Sequence, residues 1–151
     1  MTGATGGNRA PFLKPLADGP AVERWTLRLA TAAASAAAYL LCLPWDLRNR
    51  PEHPGDLQET TPVTGSGVAA LAMVLLALGG YLGARDGVAR TLALVAAPPI
   101  ILMLISLATH EGKDASPWPV AWVFFSALIA GGVLAAAVAG RVFLRRDTPG
   151  S

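Results

Sequence analysis

Between Arg90 and His110 the chain runs TLALVAAPPIILMLISLAT, Thr91–Thr109, nineteen positions without an ionisable side chain. A helix needs about 20 mainly apolar residues to cross a hydrocarbon core about 30 Å thick, and this stretch meets that length. A soluble amphipathic helix would carry a charged face at 3.6-residue spacing, and none is present. A strand would be shorter and would alternate with polar residues. The stretch therefore reads as a membrane span, with Pro98 and Pro99 at its middle. Adjacent prolines remove two amide donors, so a kink is expected there.

Three more charge-poor stretches flank it: Leu29–Trp45, Thr60–Ala84, where Tyr81 is the only ionisable group, and Ala115–Gly140. The first is short unless it takes in Arg28, whose long stem can snorkel back to the headgroups. The expected spans are 25–44, 63–84, 90–109 and 117–141. The fold class is an all-α membrane protein, four transmembrane helices in an antiparallel bundle with the third kinked at Pro98-Pro99. Short second and third connections make consecutive spans antiparallel neighbours. The expected organisation is a disordered cytoplasmic tail over 1–20, a transmembrane domain over 21–146 and a frayed tail over 147–151. The connection 45–61, with Pro51, Pro54 and Gly55, reads as loop and turn.

Composition agrees. Of 151 residues, 53% are apolar and only 15% charged, against about 25% charged in a soluble domain. That excludes a disordered chain and a nucleic-acid binder with a wide basic face. The Arg-over-Lys bias and heavy use of Ala, Gly and Pro suggest a GC-rich bacterial genome.

Ends carry their own signals. Thr61-Pro62 and Ser116-Pro117 place a capping hydroxyl before a proline at the first helical position, and Pro44 ends the first span. Trp25, Trp45, Trp118 and Trp122 all fall at span ends, where an indole keeps one edge apolar and its N–H wet.

Orientation follows from the basic residues. Nine of the twelve fall on one side: Arg9, Lys14, Arg24, Arg28, Arg85, Arg90, Arg141, Arg145 and Arg146. Arg48, Arg50 and Lys113 fall on the other. Both termini are expected in the cytoplasm, with the chain multi-pass in the cytoplasmic (inner) membrane. A cleaved leader fits poorly, because Pro11 and Pro15 interrupt a charged segment of about 28 residues. Cys42 has no second cysteine to pair with and reads as a small apolar residue.

Helices in lipid associate through small residues that let backbones approach. The first span offers Ala30, Ala34 and Ala38, the second Gly79 and Gly83, and the fourth Gly132, Ala136 and Gly140. Freed carbonyls at Pro98-Pro99 would either line a cavity as a hinge or be relieved by a neighbouring Ser or Thr.

Chemistry is sparse. Apart from Arg28, near an end, no Asp, Glu, Lys, Arg or His falls within an expected span, and coupled transporters need such a group to bind and release the ion. Small multidrug-resistance exporters share the size and four-span plan, but carry a membrane glutamate in the first span that is absent here, so the resemblance stops at topology. Membrane haem ligation needs intramembrane His, and both His lie outside the spans. No nucleotide, hydrolase or zinc-protease motif occurs in a suitable context. His53 and His110, with Asp46, Glu52, Asp56, Glu59, Glu111 and Asp114, form outer acidic loops that are weak metal candidates; solvated loops are the plainer reading. No catalytic residue, cofactor or metal site is expected. Arg141, Arg145 and Arg146 set topology and attract anionic lipid. The expected partners are the lipid bilayer and either a second copy or a larger membrane complex, with no nucleic acid. The leading expectation is a non-catalytic accessory, assembly or scaffold subunit. The alternatives are a transporter or channel component for a small uncharged or lipidic solute and, third, a membrane enzyme acting on lipid from the outer loops.

Overall fold

The computed structural model describes residues 14–47, 50–51, 59–110 and 118–146. Within them the regular structure is helical, apart from one two-residue antiparallel pairing of β1, Arg50–Pro51, with β2, Glu59–Thr60. Helix α1 covers Ala21–Cys42, α2 covers Gly65–Asp86 and α4 covers Trp118–Arg146. Between them Val88–Thr91, Leu92–Ala96 and Ala97–His110 follow without a break as one helical run, α3.

Three of these four helices are long and apolar enough to cross a membrane: α2, α3 over Val88–Thr109, and α4 over Trp118–Phe143. Helix α1 is as long as α2, 22 residues each. It carries Glu23, Arg24 and Arg28 in its first two turns, and Ala, Thr and Ser dilute the rest.

Helix α1 lies against α2 and α3, and the most extensive contact is between α2 and α4. Arg28 of α1 meets Asp86 of α2, while Cys42 lies beside Gly67, so α1 and α2 run in opposite senses. Gly79 lies beside Val133 and Ala136, and Gly83 beside Ala137, so α2 and α4 run in the same sense. The core between the helices is Tyr39, Leu71, Leu75, Leu82, Val95 and Met103, with Val133 closing it from α4.

Helix α2 begins later than its composition implies. Its N-cap is Thr64, whose Oγ1 accepts from Gly67 N at 3.1 Å, and not Thr61. The Thr61 hydroxyl accepts from Val63 N at 3.3 Å instead. A hydroxyl bonding two residues on is a turn device and leaves the helix start to the next threonine. Ser116 and Pro117 lie outside the described residues.

Within the expected tail 1–20, the segment from Lys14 is docked. Leu16–Asp18 forms a 3-10 turn with Leu16 fully buried. Arg85 of α2 donates to the Lys14 carbonyl at 2.9 Å, and Arg24 of α1 reaches the Ala17 carbonyl at 3.5 Å. Low periodicity hid one apolar anchor and two backbone carbonyls that arginines could hold.

Candidate functional site

A cluster of charged side chains lies where the start of α1 meets the α2–α3 turn. Asp86 is the last residue of α2, where the helix dipole disfavours a negative charge. Two arginines compensate. Arg28 grips Asp86 with both prongs, Nε to Oδ2 and Nη2 to Oδ1, each at 2.7 Å. Arg90, one turn into α3, adds Nη1 to Oδ1 at 2.9 Å. The Asp86 side chain is 1% exposed, that of Arg28 15% and that of Arg90 60%. A fork-on-carboxylate pair of this kind is the strong, geometrically specific form of ion pair. The Arg28 guanidinium also lies 5.4 Å from the Trp25 ring centre, a cation–π distance.

Gly87 makes the cluster possible. It is the single residue between α2 and α3, with φ +91°. A side chain there is strained, because Cβ crowds the following carbonyl. The tight reversal brings Arg90 back over Asp86, and Thr91 Oγ1 donates to the Gly87 carbonyl at 2.8 Å. Next to it, Arg85 donates to Tyr81 Oη at 2.6 Å and lies 3.5 Å from Glu23 Oε1. Of the arginines expected as topology signals, Arg28, Arg85 and Arg90 therefore also join α1, α2 and α3, while Arg24 bonds the Ala17 carbonyl. Spacing along the chain does not reveal Asp86 as the partner of Arg28. The signal available was a lone acid at a helix C-terminus between Arg85 and Arg90, which the dipole alone would disfavour. Arg141 lies exposed near the end of α4, and Arg145 and Arg146 close that helix.

At the expected kink, departure from α geometry falls one turn before Pro98-Pro99. Leu92–Ala96 is a π-helical turn, with Ala97 N–H bonded to the Leu92 carbonyl five residues back. Proline rings press on the carbonyls of the preceding turn, and widening that turn makes room. Pro99 has no N–H for the Val95 carbonyl. Ser35 of α1 supplies the donor, Oγ to O at 2.6 Å, in a fully buried position. Pro99 itself is fully buried. Ser106, buried one turn from the far end of α3, donates to the Trp45 carbonyl and anchors the chain after α1.

The small-residue lines divide. Gly79 and Gly83 of α2 face Val133, Ala136 and Ala137 of α4. A Cβ on Gly83 would stand 2.6 Å from Ala137 Cβ, and one on Gly140 would strike the Gly80 carbonyl. Gly132 is looser, 3.7 Å from Leu76. On α1 the expected line is displaced. Ala30 and Ala34 are exposed, and the buried face is Thr31, Ser35, Ala38 and Tyr39. The hydroxyls decide this. Ser35 bonds the Val95 carbonyl of α3, while Thr31 bonds the Leu27 carbonyl of its own helix.

Trp25 and Trp45 are exposed, and Trp118 opens α4 half-buried. Trp122 is half-buried and donates Nε1 to the Ile100 carbonyl at 3.2 Å, tying α4 to α3. His53 lies outside the described residues and His110 is the last residue of α3. Among the described residues no group of three or more His, Cys, Asp or Glu could hold a metal. Comparison of the chain with protein-family models, curated proteins and solved structures gives no match.

Proposed function

We propose that this chain is a four-span inner-membrane protein with both termini in the cytoplasm, acting as an accessory, assembly or scaffold subunit of a membrane complex. Its helices form an antiparallel up-and-down bundle, with α1 crossing by virtue of Arg28 sitting at the cytoplasmic boundary. The observation that carries the reading is the use made of charge. Asp86 is held by Arg28 and Arg90 at the end that the positive-inside count assigns to the cytoplasm. These groups fix helices to one another and do not face a pathway. No catalytic group is assigned. A water-lined hinge at Pro98-Pro99 is disfavoured by the burial of Pro99 and by Ser35 on the Val95 carbonyl, which weakens the transport alternative.

Gentle detergent extraction followed by native mass measurement tests the reading. A defined self-assembly or a stoichiometric membrane partner is expected. A strictly monomeric particle with no co-purifying protein overturns it.

A further inference from the structure

Around the turn from α2 to α3, positive charge is in excess. Asp86 is the single carboxylate of its triad, and Arg28 and Arg90 are its two guanidiniums. Arg28 Nη2 at 2.7 Å and Arg90 Nη1 at 2.9 Å bond the same Oδ1, so the two cations stand side by side with one negative charge between them. The two-pronged grip of Arg28 already balances that charge, and one unit of positive charge is left over. It lies on the exposed side of the triad. The Arg90 side chain is mostly exposed and that of Arg28 partly so, while that of Asp86 is buried.

Spare donors accompany the spare charge. Each guanidinium presents several N–H groups in a planar fork. Arg28 directs two of its N–H groups to Asp86 and Arg90 directs one, and neither has another hydrogen-bond partner among the described residues. The acid Glu23 lies against Arg85 instead. Donors of two adjacent cations are thus left to face outward.

The surroundings point to the source of an anion. Asp86 closes one helix long and apolar enough to cross a membrane, and Arg90 lies in the first turn of another. Both charges therefore fall where hydrocarbon gives way to headgroups. Within two turns of Arg28, α1 exposes Val22, Trp25 and Leu29, apolar side chains that lipid covers and water does not. An indole beside a cation suits the same boundary. A soluble anion gains nothing from these neighbours. An anionic phospholipid brings a singly charged phosphodiester to this depth, and its oxygens accept from paired guanidiniums.

We propose that Arg28 and Arg90 hold the phosphate of an anionic phospholipid between them, with Asp86 keeping the two guanidiniums together. One phosphodiester charge cancels the surplus. A zwitterionic lipid does not, because its own ammonium answers its phosphate. Basic pockets between membrane helices recognise headgroups in this way. The inference rests on the reading of α2 and α3 as membrane spans and not on an accessory or a transport role.

The test gives the full chain, in mild detergent, equimolar dioleoylphosphatidylglycerol and dioleoylphosphatidylcholine, and counts retained lipid by native mass measurement. Retention of phosphatidylglycerol in preference to phosphatidylcholine is expected. Arg90→Gln should cut that preference about fivefold, the worth of one basic side chain at an anionic surface. The substitution leaves Asp86 gripped by Arg28, so the fold should stand. Arg90→Lys, which keeps the charge but not the fork, should fall between the two. Arg146→Gln removes an equal charge outside the triad and should leave the preference nearly unchanged. Inorganic phosphate in large excess, set against potassium chloride of equal ionic strength, should not displace the lipid. Equal retention of the two lipids, or equal losses in Arg90→Gln and Arg146→Gln, overturns the site. Displacement by inorganic phosphate overturns its assignment to lipid. Alkaline extraction of membranes separates this from the reading beneath it. A chain that is washed out overturns the spans and the site together, and a chain that stays in the membrane yet shows no lipid preference overturns the site alone.

Discussion

Replacing Gly83 with Ala puts a methyl group where α2 and α4 leave no room. The new Cβ would stand 2.6 Å from Ala137 Cβ and 2.7 Å from the Ala137 carbonyl oxygen, against about 3.5–4.0 Å for carbon atoms at optimal separation. Relief requires the helices to part by roughly 1 Å, and a gap of that order forfeits about a quarter to a half of each dispersion contact along the seam. Overpacking of this kind costs about 1–3 kcal/mol. Alanine's better helix propensity offsets up to about 1 kcal/mol in water, and less when the denatured chain remains helical in detergent. The expected net loss is about 1–2 kcal/mol. Gly131→Ala is the control, because nothing lies within 4 Å of its added Cβ, and its change should stay within about 0.5 kcal/mol. Reversible unfolding of the purified full chain in mixed micelles, titrated with sodium dodecyl sulfate, measures both. Ala137→Gly should recover only part of the Gly83→Ala loss, since the Ala137 backbone also crowds the site. A Gly83→Ala chain as stable as wild type, or no less stable than Gly131→Ala, refutes the close α2–α4 seam.

Asp86→Asn should destabilise the chain in the same titration, and Asp86→Leu combined with Arg28→Met should recover much of the loss, because an unpaired charge is worse than an apolar pair; equal losses would show the cluster to be incidental. Ser35→Ala should cost about 1–3 kcal/mol by leaving the Val95 carbonyl unbonded. That cost should shrink in a Pro99→Ala background, where an amide donor returns, and a cost unchanged by Pro99→Ala would sever the proposed link. Gly87→Ala should lower stability by about 1–2 kcal/mol through its positive φ, read as a shifted unfolding midpoint. Alkaline phosphatase fused after Glu59 or Asp114 should be active, and after Asp86 or Ser151 silent. Activity at Ser151 would reverse the orientation, and silence at Glu59 with activity at Asp114 would show that α1 does not cross.

The gaps between charges were enough to place the helices to within about five residues, because a long apolar helix is marked by what it lacks. Charge-free stretches of the right length have one cheap solution in lipid, a helix whose backbone bonds are internal. The glycines at positions 79 and 83 likewise announced a site of close approach, since no other residue leaves the backbone bare. Their partner stayed hidden: several Ala-rich lines compete, and which of them faces Gly83 depends on the rotation of each helix about its own axis. On α1 the choice fell on the Thr31 and Ser35 face and not on Ala30 and Ala34, because one hydroxyl meets a proline-freed carbonyl sixty residues away.

By itself, then, the sequence determined the element type, the approximate ends and the surplus of arginine on one side, all consequences of local composition acting against a uniform solvent. Only the tertiary structure decided the rest: that Asp86 is gripped by Arg28 from fifty-eight positions earlier, that the turn before Pro98-Pro99 widens and is bonded by Ser35, and that the Tyr39 hydroxyl is buried with no partner among the described residues. Each depends on two distant segments meeting at a given rotation and depth. Spacing along one chain cannot encode that, because a polar group in lipid is satisfied by whichever partner the packed helices bring within about 3 Å.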